Sequence, residues 1–301
     1  MKVHQTILLL LVLAATTGAR AENPEKCFSA IYALKAHRLD DAISLYTQCI
    51  NQGDLSTENL IVAYNDRGNA YGKKGDYQQA LADFDQVIKL SPEDADGYYN
   101  RGLTYKKLHK PSLAVVDYTT AISHNPKYAK AFNNRGGVYG EQGKFKLAVA
   151  DFDRAIDIDP GDASSYFNRG LAFYSLGNYP QAIEDLQKAI DLDPRYRKAY
   201  ENLAWLRATC PDASLRDGSL ALSLAKKAYF LRGTGTPGLY DIMAAAYASQ
   251  GRYEMAIKYQ QLAIETAGKE IANKEFEKRL ALYKSDTAYR ESGGNRFLVN
   301  G

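Results

Sequence analysis

Three cysteines, four histidines, three methionines and one tryptophan in 301 residues leave few of the side chains from which metal centres and nucleophilic sites are built. No Cys/His cluster has metal-ligand spacing, and neither a G-x-S-x-G nor a P-loop occurs. Of the histidines, His4 falls in a leader, His37 and His109 fall between helical stretches, and His124 stands near a repeat boundary. They read as exposed turn residues, so no catalytic residue, metal or cofactor is assigned. Gly233-Thr234-Gly235-Thr236-Pro237-Gly238 fits G-x-G-x-x-G, but no strand precedes it and proline interrupts it, so it reads as a linker.

Neither sign of charge dominates. The formal net charge is +3, with 38 Lys and Arg against 35 Asp and Glu, which gives no reason to expect a nucleic-acid partner. Long apolar runs are missing too. The one at residues 7–15 falls well short of the about 20 residues that span a bilayer, so no integral membrane span is expected in the mature chain. With Lys2 and His4 before it and Ala19-Arg20-Ala21 after it, residues 1–21 read as a secretory signal peptide, removed before Glu22. The expected address is a bacterial periplasm, otherwise the secreted space. Loss of Lys2 and Arg20 lowers the charge to +1.

What the chain does have is a period. Asp66-Arg67-Gly68, Asn100-Arg101-Gly102, Asn134-Arg135-Gly136 and Asn168-Arg169-Gly170 stand 34 residues apart, the signature of stacked units. With each glycine at position 8, position 4 is Tyr64, Tyr98, Phe132 and Tyr166, and position 11 is Tyr71, Tyr105, Tyr139 and Phe173. Position 20 is Ala80, Ala114, Ala148 and Ala182; position 24 is Phe84, Tyr118, Phe152 and Leu186; position 32 is Pro92, Pro126, Pro160 and Pro194. Positions 4, 8 and 11 share one face of a first helix, and 20, 24 and 27 one face of a second. Proline ends the second helix, so each unit is a helical hairpin. Glycine inside a helix costs about 1 kcal/mol against alanine, so its recurrence marks a close approach of the second helix, with the alanine at position 20 expected opposite.

These columns resemble the tetratricopeptide repeat. The resemblance implies an all-α fold, a right-handed α-solenoid of about seven helical hairpins with a C-terminal capping helix, whose first helices line a concave groove that binds other proteins. Four regular units are expected at 61–94, 95–128, 129–162 and 163–196. Before them, 22–60 forms an atypical hairpin. After them come a degenerate unit at 197–236 with an inserted loop at 211–218, a unit at 237–268, a capping helix at 269–288 and a disordered tail at 289–301.

One departure from the family pattern is arginine where it has leucine at position 7. The same four units carry Asp83, Asp117, Asp151 and Asp185 at position 23, which an antiparallel hairpin sets opposite Arg67, Arg101, Arg135 and Arg169. The next unit has Leu203 and Leu224 at the two positions, so the charges vanish together. The set is expected to be structural ion pairs. In the first hairpin, Cys27 and Cys49 fall opposite each other, which in an exported chain points to a disulfide, the alternative being two packed thiols.

The functional expectation rests on the groove. Position 6 reads Asp66, Asn100, Asn134, Asn168 and Asn202, a ladder of side chains able to donate and accept along an extended peptide, unless they bond instead to neighbouring helices. Asparagine ladders of this kind occur in some members of the family. Beside it, positions 5, 9 and 12 alternate over 68 residues between Asn65, Asn69, Gly72 and Asn133, Gly137, Gly140 on one hand, and Tyr99, Leu103, Lys106 and Phe167, Leu171, Tyr174 on the other. Lys130 and Lys198 complete the expected lining. The chain therefore reads as a non-enzymatic scaffold or adaptor for a protein or peptide partner. The alternative is a structural accessory of an envelope assembly or secretion machine, acting through its convex side or the 211–218 loop; an enzyme is the remote third.

Overall fold

In the computed structural model the described residues are 24–53, 55–268 and 273–291, and among them are fifteen α-helices, one short 3-10 turn and no strand. The expected leader at 1–21, residues 269–272 of the expected cap and residues 292–301 lie outside the described residues. The helices are α1 Pro24–Lys35, α2 Leu39–Asn51, α3 Thr57–Lys74, α4 Tyr77–Leu90, α5 Ala95–Lys107, α6 Pro111–His124 and α7 Ala129–Glu141. They continue as α8 Phe145–Ile158, α9 Ala163–Ser175, α10 Tyr179–Leu192, α11 Arg197–Thr209, α12 Gly218–Arg232, α13 Pro237–Ser249, α14 Tyr253–Ala267 and α15 Asn273–Lys284. This is the α-solenoid class of fold. The chain divides at Val138 and Tyr139, within α7, into two compact units. No described helix is long and apolar enough to cross a membrane.

Each helix begins and ends for local reasons. Asp94 and Asp162 accept from the first amides of α5 and α9, and Ser56, Asp217 and Thr236 do so for α3, α12 and α13. In every hairpin but α11–α12 the chain turns between the two helices through a left-handed residue. Gly75, Gly143, Gly177 and Gly251 take that corner at no steric cost, but His37 (φ 57°) and His109 (φ 54°) occupy the same place in their hairpins. The histidines are thus turn residues set in a glycine position.

In the first unit the core is a string of small clusters. Ala30, Ala33, Ala42, Tyr46 and Ala63 close the first hairpin onto α3, and Ala114, Tyr118 and Val138 form a second cluster. A disulfide joins Cys27 of α1 to Cys49 of α2, with Cα atoms 5.6 Å apart. The repeated glycine fits the expectation of close approach with a change of neighbour. A Cβ on Gly68 would stand 2.8 Å from the Phe84 ring, and one on Gly102 2.9 Å from the Tyr118 ring, so the position-24 aromatic fills the space. At Gly170, in the second unit, Ala182 does come close, through its carbonyl oxygen at 3.3 Å.

The second unit holds a small cluster of Ala148, Phe152 and Ala172 and a large core running from Phe167 to Tyr283. Its helices α11 and α13 are buried nearly all round, including every residue of 199–206 and 241–248. The capping helix α15 packs on α14, and its Arg279, 1% exposed, donates to Asp241 Oδ1 of α13 at 2.7 Å. The arginine also lies over Trp205, Phe276 and Tyr289, between 5.3 and 5.5 Å from their ring centres, where the aromatic faces stabilise its charge. Residues 289–291, expected in a disordered tail, belong to this packed body. They run back over α11, and Glu291 is buried.

Arginine at position 7 does more than pair within its hairpin. Arg67 holds Asp83 through Nε and Nη2 at 2.9 and 2.7 Å, Arg101 holds Asp117 at 2.8 and 2.8 Å, and Arg169 holds Asp185 at 2.8 and 2.7 Å. The remaining Nη1 of each reaches position 25 of the preceding hairpin. There it donates to Thr47 from Arg67 at 2.9 Å, Asp85 from Arg101 at 2.7 Å, Thr119 from Arg135 at 3.0 Å and Asp153 from Arg169 at 2.6 Å. The rigid guanidinium fork suits this double duty, which lysine could not perform.

Candidate functional site

The groove face of a first helix is set by positions 5, 6, 9, 12 and 13, and the two units treat it differently. In the first unit the ladder begins with a residue that is not available. Asp66 is buried and accepts from the Tyr46 hydroxyl at 2.8 Å, tying α3 to α2. Burial, and then the Asp66 carboxylate, hold the Tyr46 proton far more tightly than usual.

The asparagines bridge helices. Asn100 Nδ2 donates to Asn65 Oδ1 at 2.8 Å, and Asn134 Nδ2 to the Tyr99 hydroxyl at 3.0 Å and the Lys130 carbonyl at 2.9 Å. Tyr99 in turn lies against Tyr128, ring centres 4.8 Å apart. The Lys106 ammonium runs beside Gly137, Lys130 is exposed, and Asn133 is half-buried.

Between α3 and α5 the groove opens into a cleft of about 440 Å³. Asn69, Asn100, Thr104 and the Lys73 and Lys107 side chains give it polar walls, and Leu103, Phe84 and Tyr77 an apolar floor. The cleft exists because position 12 of this hairpin is Gly72, where an added Cβ would meet nothing within 4 Å. The structure brings together Asn69, Asn100, Leu103 and Gly72 from the expected lining. Tyr77 and Phe84, which start and fill the second helix, escaped the sequence reading because it assigned the groove to first helices alone.

In the second unit the expected groove is largely filled. Phe167 is 7% exposed and lies against Tyr196 with ring centres 4.9 Å apart, and Tyr174 is 3% exposed beside Tyr179. Asn202 is 3% exposed, its Nδ2 donating to the Lys198 carbonyl at 2.8 Å. These three are core residues, a correction to the groove expected from their register. The cause is the cover supplied by Tyr179, Tyr196 and the C-terminal residues. Leu171, Asn168 and Lys198 stay half-buried.

The cover over α11 is specific. Trp205 Nε1 donates to Glu291 Oε2 at 3.1 Å, the Glu291 amide donates to the Thr209 carbonyl at 2.9 Å, and the Tyr289 ring lies 5.8 Å from that of Trp205. Behind it, the 211–218 loop is tied to the end of α11. Arg216 donates to the Cys210 and Pro211 carbonyls at 2.7 and 2.9 Å, and Arg207 to the Leu215 carbonyl at 3.0 Å. Among the described residues no cluster of three His, Cys, Asp or Glu is placed to hold a metal ion.

Comparison with known proteins agrees with the helical pattern. Models described as tetratricopeptide repeats match residues 95–128, 136–213 and 237–269, and one described as TPR repeat matches 63–108. Among solved structures, a tetratricopeptide repeat protein from Parabacteroides merdae superposes with a TM-score of 0.60 at 19% identity, covering 87% of this chain and 99% of the other. PilF of Pseudomonas aeruginosa gives 0.64 at 20% identity, covering 74% of this chain and 98% of its own. PilW, described as a widely conserved type IV pilus biogenesis factor, gives 0.63 at 19%, with 72% and 97% covered. At such identities the likeness is one of fold. The repeat matches together span more than half of the chain, and it belongs to the tetratricopeptide repeat proteins.

Proposed function

We propose that this protein is a non-enzymatic scaffold that holds an extended segment of a partner protein in the groove of its first unit. The observation that carries this reading is the cleft over Gly72, a concave site with a few polar groups around an apolar floor. Asn69 and Asn100 supply amides for a peptide backbone, Leu103 and Phe84 receive an apolar side chain, and Lys73 and Lys107 favour an acidic neighbour. The leader-like residues 1–21 and the Cys27–Cys49 disulfide support export to an oxidising compartment, a periplasm before any other.

Gly72→Leu tests it. The new side chain fills the cleft without touching the packed face, so the fold should be kept and melting should not fall, leucine being a better helix former than glycine. Partners cross-linked to the wild-type protein in its native envelope fraction should fall at least tenfold with the variant. Undiminished capture would sink the reading.

A second reading, service in an envelope assembly through another face, has one observation in its favour. On α12, the helix that follows the 211–218 loop, Phe230 is 77% exposed and its neighbour Tyr229 is exposed too, as is Leu220 in the first turn. If that face is the one used, Phe230→Ser removes the partners and Gly72→Leu spares them.

A further inference from the structure

Positions 9, 12 and 13 form the open cleft of the first unit as Asn69, Gly72 and Lys73. In α11 the same positions are Trp205, Ala208 and Thr209, and there the chain's own C-terminal segment lies on them. We propose that residues 287–291 occupy in cis a peptide site on the second unit, and that this site takes partner segments with an aromatic side chain followed two residues later by a carboxylate. The proposal rests on the reading that the groove face of these helices binds peptides.

The contacts are those of a bound peptide. One main-chain N–H of the segment meets a groove carbonyl, its acid accepts from an indole, and its aromatic ring lies against the same indole. Extended chains are read in this way, main-chain bonds giving purchase and side chains giving choice.

Three features make the segment replaceable. The Glu291 carboxylate is buried and its hydrogen bonds come from neutral groups, Trp205 Nε1 and the Tyr289 hydroxyl at 3.4 Å, which compensate its burial less than a direct ion pair would. Arg290 lies near another cation; burial, and after it Arg216, weaken its hold on its proton. The turn that delivers the segment passes through Asp286 at φ 51°, a left-handed corner that a non-glycine residue takes at a cost. What keeps the segment in place is its tether, which presents it at an effective concentration that a free peptide must outcompete.

Trp205 is the one tryptophan of the chain, so its fluorescence reports on the site. The full chain carrying Tyr289→Ala and Glu291→Ala is compared with wild type, using a blocked, fluorescein-labelled peptide Ser-Asp-Thr-Ala-Tyr-Arg-Glu, the sequence of residues 285–291. The variant should show red-shifted Trp205 emission with unchanged helicity, bind the peptide at least tenfold more tightly by anisotropy, and regain the wild-type emission on binding. Equal or absent binding in both proteins would overturn the proposal. So would loss of cooperative melting in the variant, since the segment would then be part of the core. Peptide capture does not involve Gly72, so failure here leaves the first-unit reading standing, and failure of that reading shows in a separate measurement, the Gly72→Leu capture.

Discussion

Arg169 and Asp185 meet in two parallel N–H···O bonds of 2.8 and 2.7 Å, with only 20% and 5% of their side chains exposed. A pair so placed is costly to break by halves, because the survivor keeps its charge and loses its partner. Arg169→Ala or Asp185→Ala should each lower stability by about 3 kcal/mol, whereas changing both to leucine should restore most of it. The chain already carries that solution at Leu203 and Leu224, which are buried in one cluster. Denaturant midpoints of the two single variants and the double variant decide the matter. A double variant as unstable as the worse single would refute it.

Gly72 and Gly102 are both helical glycines and should respond oppositely to alanine. At Gly72 the methyl group enters open space, so Gly72→Ala should gain up to about 1 kcal/mol from helix propensity. At Gly102 it would lie 2.9 Å from the Tyr118 ring and 3.3 Å from Asp117 Cβ, so Gly102→Ala should lose about 1–3 kcal/mol. Thermal melts of the two variants should move in opposite directions.

His109 sits at φ 54° in the corner that Gly75 and Gly143 take in neighbouring hairpins. His109→Gly should relieve a left-handed strain of about 1 kcal/mol net of the added freedom of the unfolded chain. A higher melting temperature is the expected result.

Asp162 caps α9. Burial pushes its carboxyl up, but the Ser165 and Ser164 hydroxyls and the amides of both residues outweigh burial and hold it below its ordinary value of 3.8. A depressed carboxyl contributes stability that is complete above its unfolded value and is lost as pH falls through its folded one. Asp162→Ala should therefore cost about 1 kcal/mol at neutral pH, and the difference from wild type should shrink below pH 3.8 as the native carboxyl takes up its proton.

The repeat architecture was legible because it was written several times. A single Gly or Ala says little, but the same residue at four equivalent positions identifies a contact, and the Arg67–Asp83, Arg101–Asp117 and Arg169–Asp185 pairs could be drawn from register alone. The third arm of each arginine was also written, as Thr47, Asp85, Thr119 and Asp153, but its alternation hid it from a search for constant columns.

The filling of the second unit was not written in any period. It depends on where residues 289–291 go, and the Trp205–Glu291 bond spans 86 residues with no repeat to announce it. One sign was available. In α13, the run Ile242-Met243-Ala244-Ala245-Ala246 is apolar on every side, which a helix with one face toward an open groove should not be.

The arginine row has a mechanical consequence. The guanidiniums of Arg67, Arg101 and Arg169 each rivet their own hairpin shut and fasten it to the second helix of the hairpin before, so adjacent hairpins share load through short, directional bonds. In the second unit that row stops at Arg169, because Leu203 has no such arms. Beyond it, α11 meets α10 through apolar contact, which has no preferred direction and slides where the riveted part snaps. Stretched from its two ends, the second unit would give way first along the seam between α10 and α11.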